Sequence, residues 1–176
     1  MHTADLRAWR EAAGLNREAG PKVVLEAALE AGRAELLAWA TLVPEAERAA
    51  RPVCGVWTLK DVLGHVADWE LFCLAGLREM AAGQVAGLSY NGDEEGWNQA
   101  HAAARRDQPW EAVWADFTDT RQALLAALAA LDDAGLNRSV PSRWDADDRP
   151  YWWFRVCLGH DREHAEVLRA AVERLS

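Results

Sequence analysis

Isoleucine is absent from this 176-residue sequence, and lysine nearly so: only Lys22 and Lys60 interrupt a basic set that is otherwise arginine. With Ile missing, Val and Ile are scarce as a group, which argues against a sandwich or barrel. Cysteine is scarce too. Cys54, Cys73 and Cys157 are an odd number with no paired spacing, so a reducing compartment is expected and a disulfide framework is not. No stretch approaches the roughly 18 consecutive apolar residues of a membrane span, and no apolar run of signal-peptide length stands at the N-terminus. The chain therefore reads as cytoplasmic, with no membrane partner. Positive charge is the last deficit. The formal net charge is −9, and the arginines are scattered, with Arg105-Arg106 the only adjacent basic pair. That distribution lacks the basic face that phosphate neutralisation requires, so nucleic acid is not an expected partner.

What is present favours helix. About one residue in five is Ala, the strongest helix former, and ten Trp supply bulk for packing. The length suits one domain with a sizeable core. Residues 1–20 read as an N-terminal extension, with a short helix over about residues 4–13 ended by Gly14. Gly20-Pro21 then opens a domain covering residues 21–176. Within it Leu25, Leu29, Gly32, Leu36, Trp39 and Val43 recur at steps of four and three, the stripe of an amphipathic helix, closed by Pro44.

A second helix starts at Thr58-Leu59-Lys60-Asp61, a capping box, with Trp57 and Val62 placed for a hydrophobic staple. Its stripe runs through Val62, His65 or Val66, Trp69, Phe72 or Cys73, Gly76 and Met80, and Gly83 ends it. Residues 84–106 have no steady period and read as a long loop with a short helix near residues 96–104; loops this long are often functional. The third helix is expected from Asp107, with Pro109 in its first turn. Its face is Trp110, Trp114, Phe117, Leu124, Leu125, Leu128 and Leu131, and Gly135 is its expected cap. The fourth is expected to start at an Asp148 cap with Pro150 in the first turn. Its stripe is Trp153, Cys157, His160, His164, Val167 or Leu168, Ala171 and Leu175. The result is an all-α chain, a four-helix bundle.

Three of the five histidines lie on these core stripes. His160 and His164 are one helical turn apart, so both imidazoles can converge on one ion. His65 lies on the buried side of the second helix. Three buried imidazoles that satisfied only one another would be costly, and one divalent ion answers for all of them. Three nitrogen ligands also leave a position open for water or substrate, as in catalytic zinc sites.

Other residues have weaker claims. Asp68, three residues after His65, could accept an imidazole N–H or act as a general base, or it could be a solvated carboxylate. Glu163 completes the string HxxEH, an inverted zinc-peptidase motif, but only twelve residues follow His164 to supply the further carboxylate ligand. Glu163 and Asp161 are therefore expected to flank or support the ligands. Cys157 reads as a buried apolar residue, with thiolate ligation the alternative. Trp57, Trp69, Trp152 and Trp153 are expected as core and cavity walls. Tyr90 and Trp97-Asn98 could form a lid, and His2 and His101 read as surface residues.

The run from Trp57 through His65 to Glu70 resembles the second-helix signature of the DinB/YfiT-like superfamily, and Leu158-Gly159-His160-Asp161-Arg162-Glu163-His164 resembles its last-helix HxxxH. The likeness spans about residues 20–175. It implies an up-down-down-up bundle whose His65, His160 and His164 hold a metal, zinc or nickel. It also implies membership of a group that includes S-transferases and isomerases using low-molecular-weight thiols such as bacillithiol, mycothiol or glutathione. The resulting expectation is a metal-dependent transferase acting on small electrophiles in detoxification or stress response. A metal-dependent hydrolase of a small metabolite, or a binding protein without turnover, is the alternative. Family likeness also suggests a homodimer.

Overall fold

The computed structural model of the chain describes residues 3–15 and 18–174. Among these are seven α-helices: α1 (Thr3–Ala12), α2 (Pro21–Thr41), α3 (Leu59–Ala81), α4 (Glu94–Arg105), α5 (Trp110–Ala129), α6 (Asp133–Leu136) and α7 (Pro150–Glu173). A two-stranded antiparallel ribbon, β1 (Pro52–Cys54) and β2 (Trp57–Thr58), precedes α3. Strands this short, turning at Gly55, leave no period to read and were not anticipated.

Helices α2, α3, α5 and α7 form the bundle, and side-chain contacts near their ends give its direction. Lys22 at the start of α2 donates to the carbonyls of Ala129, the last residue of α5, and Leu131 just beyond it, so these two helices run antiparallel. Lys60 at the start of α3 donates to the carbonyls of Arg106 and Gln108 just ahead of α5, so α3 and α5 are parallel. Gly76 late in α3 meets Trp153 early in α7, so that pair is antiparallel. The order is up-down-down-up. Parallel α3 and α5 require a crossover, and residues 82–109 with α4 supply it.

Local chemistry explains most helix ends. The capping box at α3 forms as expected: Asp61 N–H donates to Thr58 Oγ1 at 3.3 Å while Thr58 N–H donates to Asp61 Oδ2 at 2.9 Å. Other ends differ from expectation. Pro109 is the N-cap of α5 rather than a first-turn residue. Gly135 does not cap α5, which ends at Ala129. The Asp132 carboxylate accepts the Gly135 N–H at 2.6 Å and starts α6 instead. Arg149, not Asp148, is the N-cap of α7, because the Asp148 carboxylate is taken by the Arg149 N–H and by Trp153 Nε1. Position 175 and His2 lie outside the described residues.

Two apolar clusters fill the bundle. Leu25, Leu29, Leu77, Met80, Leu128 and Phe154 belong to one, and Leu36, Val62, Leu63, Val66, Phe117 and Leu168 to the other. Trp9 of α1 is buried in the first, so the extension is packed on the bundle. At Gly76 a Cβ would land on the Trp153 ring, which is why α3 and α7 pass so closely there.

Between the clusters lies a buried polar layer with one charge from each bundle helix: Arg33 of α2, Glu70 of α3, Arg121 of α5 and Asp161 of α7. Arg33 Nη2 donates to Glu70 Oε1 at 2.7 Å and to Asp161 Oδ1 at 3.0 Å, and its Nε donates to Asp161 Oδ2 at 3.2 Å. Arg121 Nη2 donates to Asp161 Oδ2 at 2.6 Å and also to Glu70. Arg33 Nη1 and Arg121 Nη1 reach the carbonyls of Phe117 and Leu29, Thr120 donates to Glu70 Oε2, and Arg121 Nε is left buried without a partner. Two cations and two anions balance, so the ion count is neutral inside the low-dielectric core.

Removing one member should leave uncompensated charge. Asp161→Asn is expected to lower the free energy of unfolding by about 3–5 kcal/mol, measured by urea denaturation. Arg7→Ala, which breaks only the exposed pair with Glu11, should leave the urea midpoint essentially unchanged.

Candidate metal centre

The capping box sets where α3 begins, and His65 follows its Asp61 by one helical turn. On α7, His160 and His164 project from one face while Asp161, about 100° further round, points into the polar layer. The arginines that grip Asp161 therefore set the rotation of α7 and aim both imidazoles toward α3. The three Nε2 atoms meet: His160 Nε2 is 2.8 Å from that of His65 and 3.0 Å from that of His164. His164 is buried, and His65 and His160 are half-buried.

This geometry suits a cation better than it suits hydrogen bonding. A ring nitrogen carries either one proton or one lone pair, so His160 Nε2 can fully satisfy one of its two close neighbours. Burial holds all three rings in the neutral, metal-binding form. Desolvation, then the neighbouring His164 and His101, takes His65 from its ordinary 6.5 down to about 3. Desolvation with His164, His65 and Arg33 takes His160 to about 2. Desolvation takes His164 to about 4, partly offset by Asp161. Among the described residues no fourth His, Cys, Asp or Glu joins the three. The donor set is three nitrogens, the kind that zinc, nickel, copper and iron accept.

Aromatic rings brace the ligands. Trp57 stands edge-on to His65 with centroids 4.9 Å apart, and the Trp69 ring lies 6.4 Å from both His65 and His160. His164 Nδ1 is buried without a hydrogen-bond partner, so packing rather than a carboxylate orients that ring.

The three imidazoles line a chamber of about 650 Å³, together with Trp69, Glu70, Cys73, Cys157 and Glu163. Trp9 of α1 also reaches its wall, a role for the N-terminal extension that no spacing in the sequence predicted. Glu163 is exposed within this lining. Asp68 is engaged elsewhere. Both its oxygens accept from Arg105, at 2.8 and 2.7 Å, and Arg105 Nη1 also donates to Asp116 at 2.7 Å. The pairing ties α4 to α3 and α5, so an arginine occupies the carboxylate expected to serve an imidazole. Cys157 is buried against Cys73. That contact and burial raise its thiol well above the ordinary 9.0, the behaviour of a packing residue rather than a thiolate ligand.

Helix α4 covers this end of α3. Trp97 packs on Trp69 with centroids 4.4 Å apart, Trp69 Nε1 donates to Asn98 Oδ1 at 2.9 Å, and Tyr90 is buried beside Trp69. His101 is half-buried and stacks on Trp97 at 3.6 Å, contrary to its expected surface role. The polar layer was also missed by sequence reasoning, although a signal existed. Arg121 stands four residues after Phe117 and three before Leu124, and Glu70 four after Val66 and three before Cys73. These are charges at core positions, with signs that balance across the helices.

The three His pKa values fix the sign of a pH effect in the metal-free protein. The unfolded chain takes up protons near pH 6.5 and the folded protein only near 2 to 4. Stability is therefore full above about pH 6.5 and falls as pH drops toward the folded values. The urea midpoint of metal-free protein should fall from pH 7 to pH 5, and more steeply than in a His65→Ala, His160→Ala, His164→Ala triple variant.

Comparison with known proteins places this architecture. The pattern that defines the DinB superfamily matches residues 28–168, which include all three histidines and exclude α1. A crystal structure of an uncharacterised protein from Escherichia coli UTI89 superposes with a TM-score of 0.74 at 13% identity, covering 87% of this chain and 93% of that one. A protein from Streptococcus pneumoniae gives 0.72 at 14% identity, covering 92% and 96%. At such identities the likeness speaks for the fold alone. No curated protein matches the chain.

Proposed function

The chain belongs to the DinB superfamily, and from that footing we propose that it is a divalent-metal enzyme that joins a low-molecular-weight thiol to a small electrophile. The observation that supports this reading is the cluster of three neutral imidazoles on the wall of a chamber of about 650 Å³, with no fourth ligand joining them among the described residues. Such an incomplete set is the arrangement of a catalytic rather than a structural zinc site. When bound, a divalent cation there supplies positive charge that lowers the pKa of a thiol reaching it. Zinc and nickel both suit the donors.

The protein's own groups divide the remaining work. Cys54 does not line the chamber, Cys73 and Cys157 are buried, and Cys157 is held as a thiol, so the attacking sulfur comes from outside. That sulfur forms a bond to the electrophilic carbon as the leaving group departs. The thiol proton passes to Glu163, which with Glu94 is an exposed carboxylate in the chamber lining and stands next to His164 in the chain, or to water. Trp69 and Trp57 wall the histidines and limit water around them. A hydrolase would use the same centre with water as nucleophile, and a sequestering protein would bind without turnover. Cytoplasmic residence, a dimer and a part in stress response complete the proposal.

Metal content gives the first test. Protein purified without chelator should carry about one divalent ion per chain by elemental analysis, lost in both His65→Ala and His164→Ala. Stoichiometric metal in both variants would overturn the centre. Reloaded protein should then consume a model electrophile with bacillithiol, mycothiol or glutathione, and His160→Ala should abolish that turnover. Glu163→Gln should slow it by about 10²-fold or more if Glu163 takes the proton. Turnover with water but with none of the thiols would select the hydrolase instead.

A further inference from the structure

We propose that an aromatic-walled slot beside the metal chamber is the subsite for a neutral ring or branched apolar group of the substrate; this rests on the metal reading above. The slot has a volume of about 330 Å³ and is built from Phe72, Trp144, Trp152 and Trp153, with Trp69, Cys73 and Val156 shared with the chamber. It therefore continues from the chamber wall, and Trp69, 6.4 Å from the His65 and His160 rings, marks the passage. A cavity of about 150 Å³ holds benzene, so this one takes a ring and its linker.

The walls are held in place before any ligand arrives. Trp153 packs on Gly76 and donates its Nε1 proton to Asp148 at 3.0 Å. Trp144 lies over Gly87, whose φ of 76° and missing Cβ make room for the indole. Phe72 braces both, with ring centroids 5.7 and 6.0 Å from theirs. Yet Trp144 remains 54% exposed and Val156 57% exposed, an apolar rim open to solvent beside a polar site.

Charge decides what kind of group enters. An aromatic cage with one carboxylate would ordinarily suit a cation. Here the cations are already built in: the Arg143 guanidinium lies over Trp144 at 5.6 Å and that of Arg155 over Trp152 at 5.2 Å. Asp148 already accepts from Trp153 and from the Arg149 N–H. A third positive charge would meet repulsion, so the slot takes an uncharged group while the polar, metal-seeking end of the molecule lies in the chamber.

Two hydroxamates separate the parts. Acetohydroxamate reaches only the metal, whereas phenylbutyryl hydroxamate adds a ring on a flexible tether. Calorimetry on zinc-loaded protein should show the phenyl compound binding at least about tenfold more tightly. In Trp144→Ala, at a half-exposed position that leaves the core intact, the preference should shrink to about threefold or less with acetohydroxamate affinity unchanged. Val156→Arg should remove it as well. Equal binding of both compounds to the wild type, or a preference that survives both substitutions, overturns the slot and leaves the metal reading standing. If neither compound binds protein shown to hold zinc, the open coordination position fails, and the slot with it.

Discussion

Four buried charges hold this bundle in one arrangement. Arg33, Glu70, Arg121 and Asp161 come from four different helices, and each bonds both members of opposite sign, so the four pairs form only when the helices are in register. Apolar clusters on either side tolerate some sliding and rotation, because dispersion and burial are non-directional. Guanidinium–carboxylate bonds are directional and costly to leave unmade. The layer therefore selects one rotation for each helix, and the rotation of α7 is what aims His160 and His164. Glu70 belongs both to this layer and to the chamber lining, so lock and site share a wall. Burial raises the Glu70 carboxyl against the pull of Arg121 and Arg33, a sign of how little water reaches it.

The site is correspondingly poor in hydrogen-bonded support and rich in aromatic support. Where many metal centres orient imidazoles with carboxylates, Asp68 faces Arg105 and the His164 Nδ1 has no partner. Trp57 and Trp69 brace His65, and Trp69 also His160, by contact, while His164 packs on the other two imidazoles. Arg105 extends the arrangement outward, since its bonds to Asp68 and Asp116 seat α4 so that Trp97 and Asn98 can cover Trp69. The long crossover demanded by parallel α3 and α5 thus becomes the roof over this end of the bundle.

Much of this was legible in the sequence because helical periodicity acts over short range. The stripes placed His65, His160 and His164 on buried faces, the Thr58–Asp61 box marked the start of α3, and Pro150 marked the first turn of α7. Helix ends were read less well where two residues competed for one role. Asp132 and Gly135 are an example: the carboxylate started α6 and removed the glycine from its expected capping position. Asp68 shows a different limit. Its spacing from His65 was right for a supporting carboxylate, but its partner lies 37 residues away, and no local rule reports which distant donor wins.

By itself the sequence determined the all-helical class, the four apolar stripes and the convergence of three imidazoles, because each depends on 3.6-residue periodicity and the chemistry of single side chains. Only the tertiary structure decided the partners: which arginines neutralise Glu70 and Asp161, why Asp68 is withdrawn from the histidines, and how Trp9 of the extension comes to wall the chamber. Those choices rest on contacts between residues far apart in the chain. They are set by which charges and rings the packed helices bring within a few ångströms, and spacing along one helix carries no record of that.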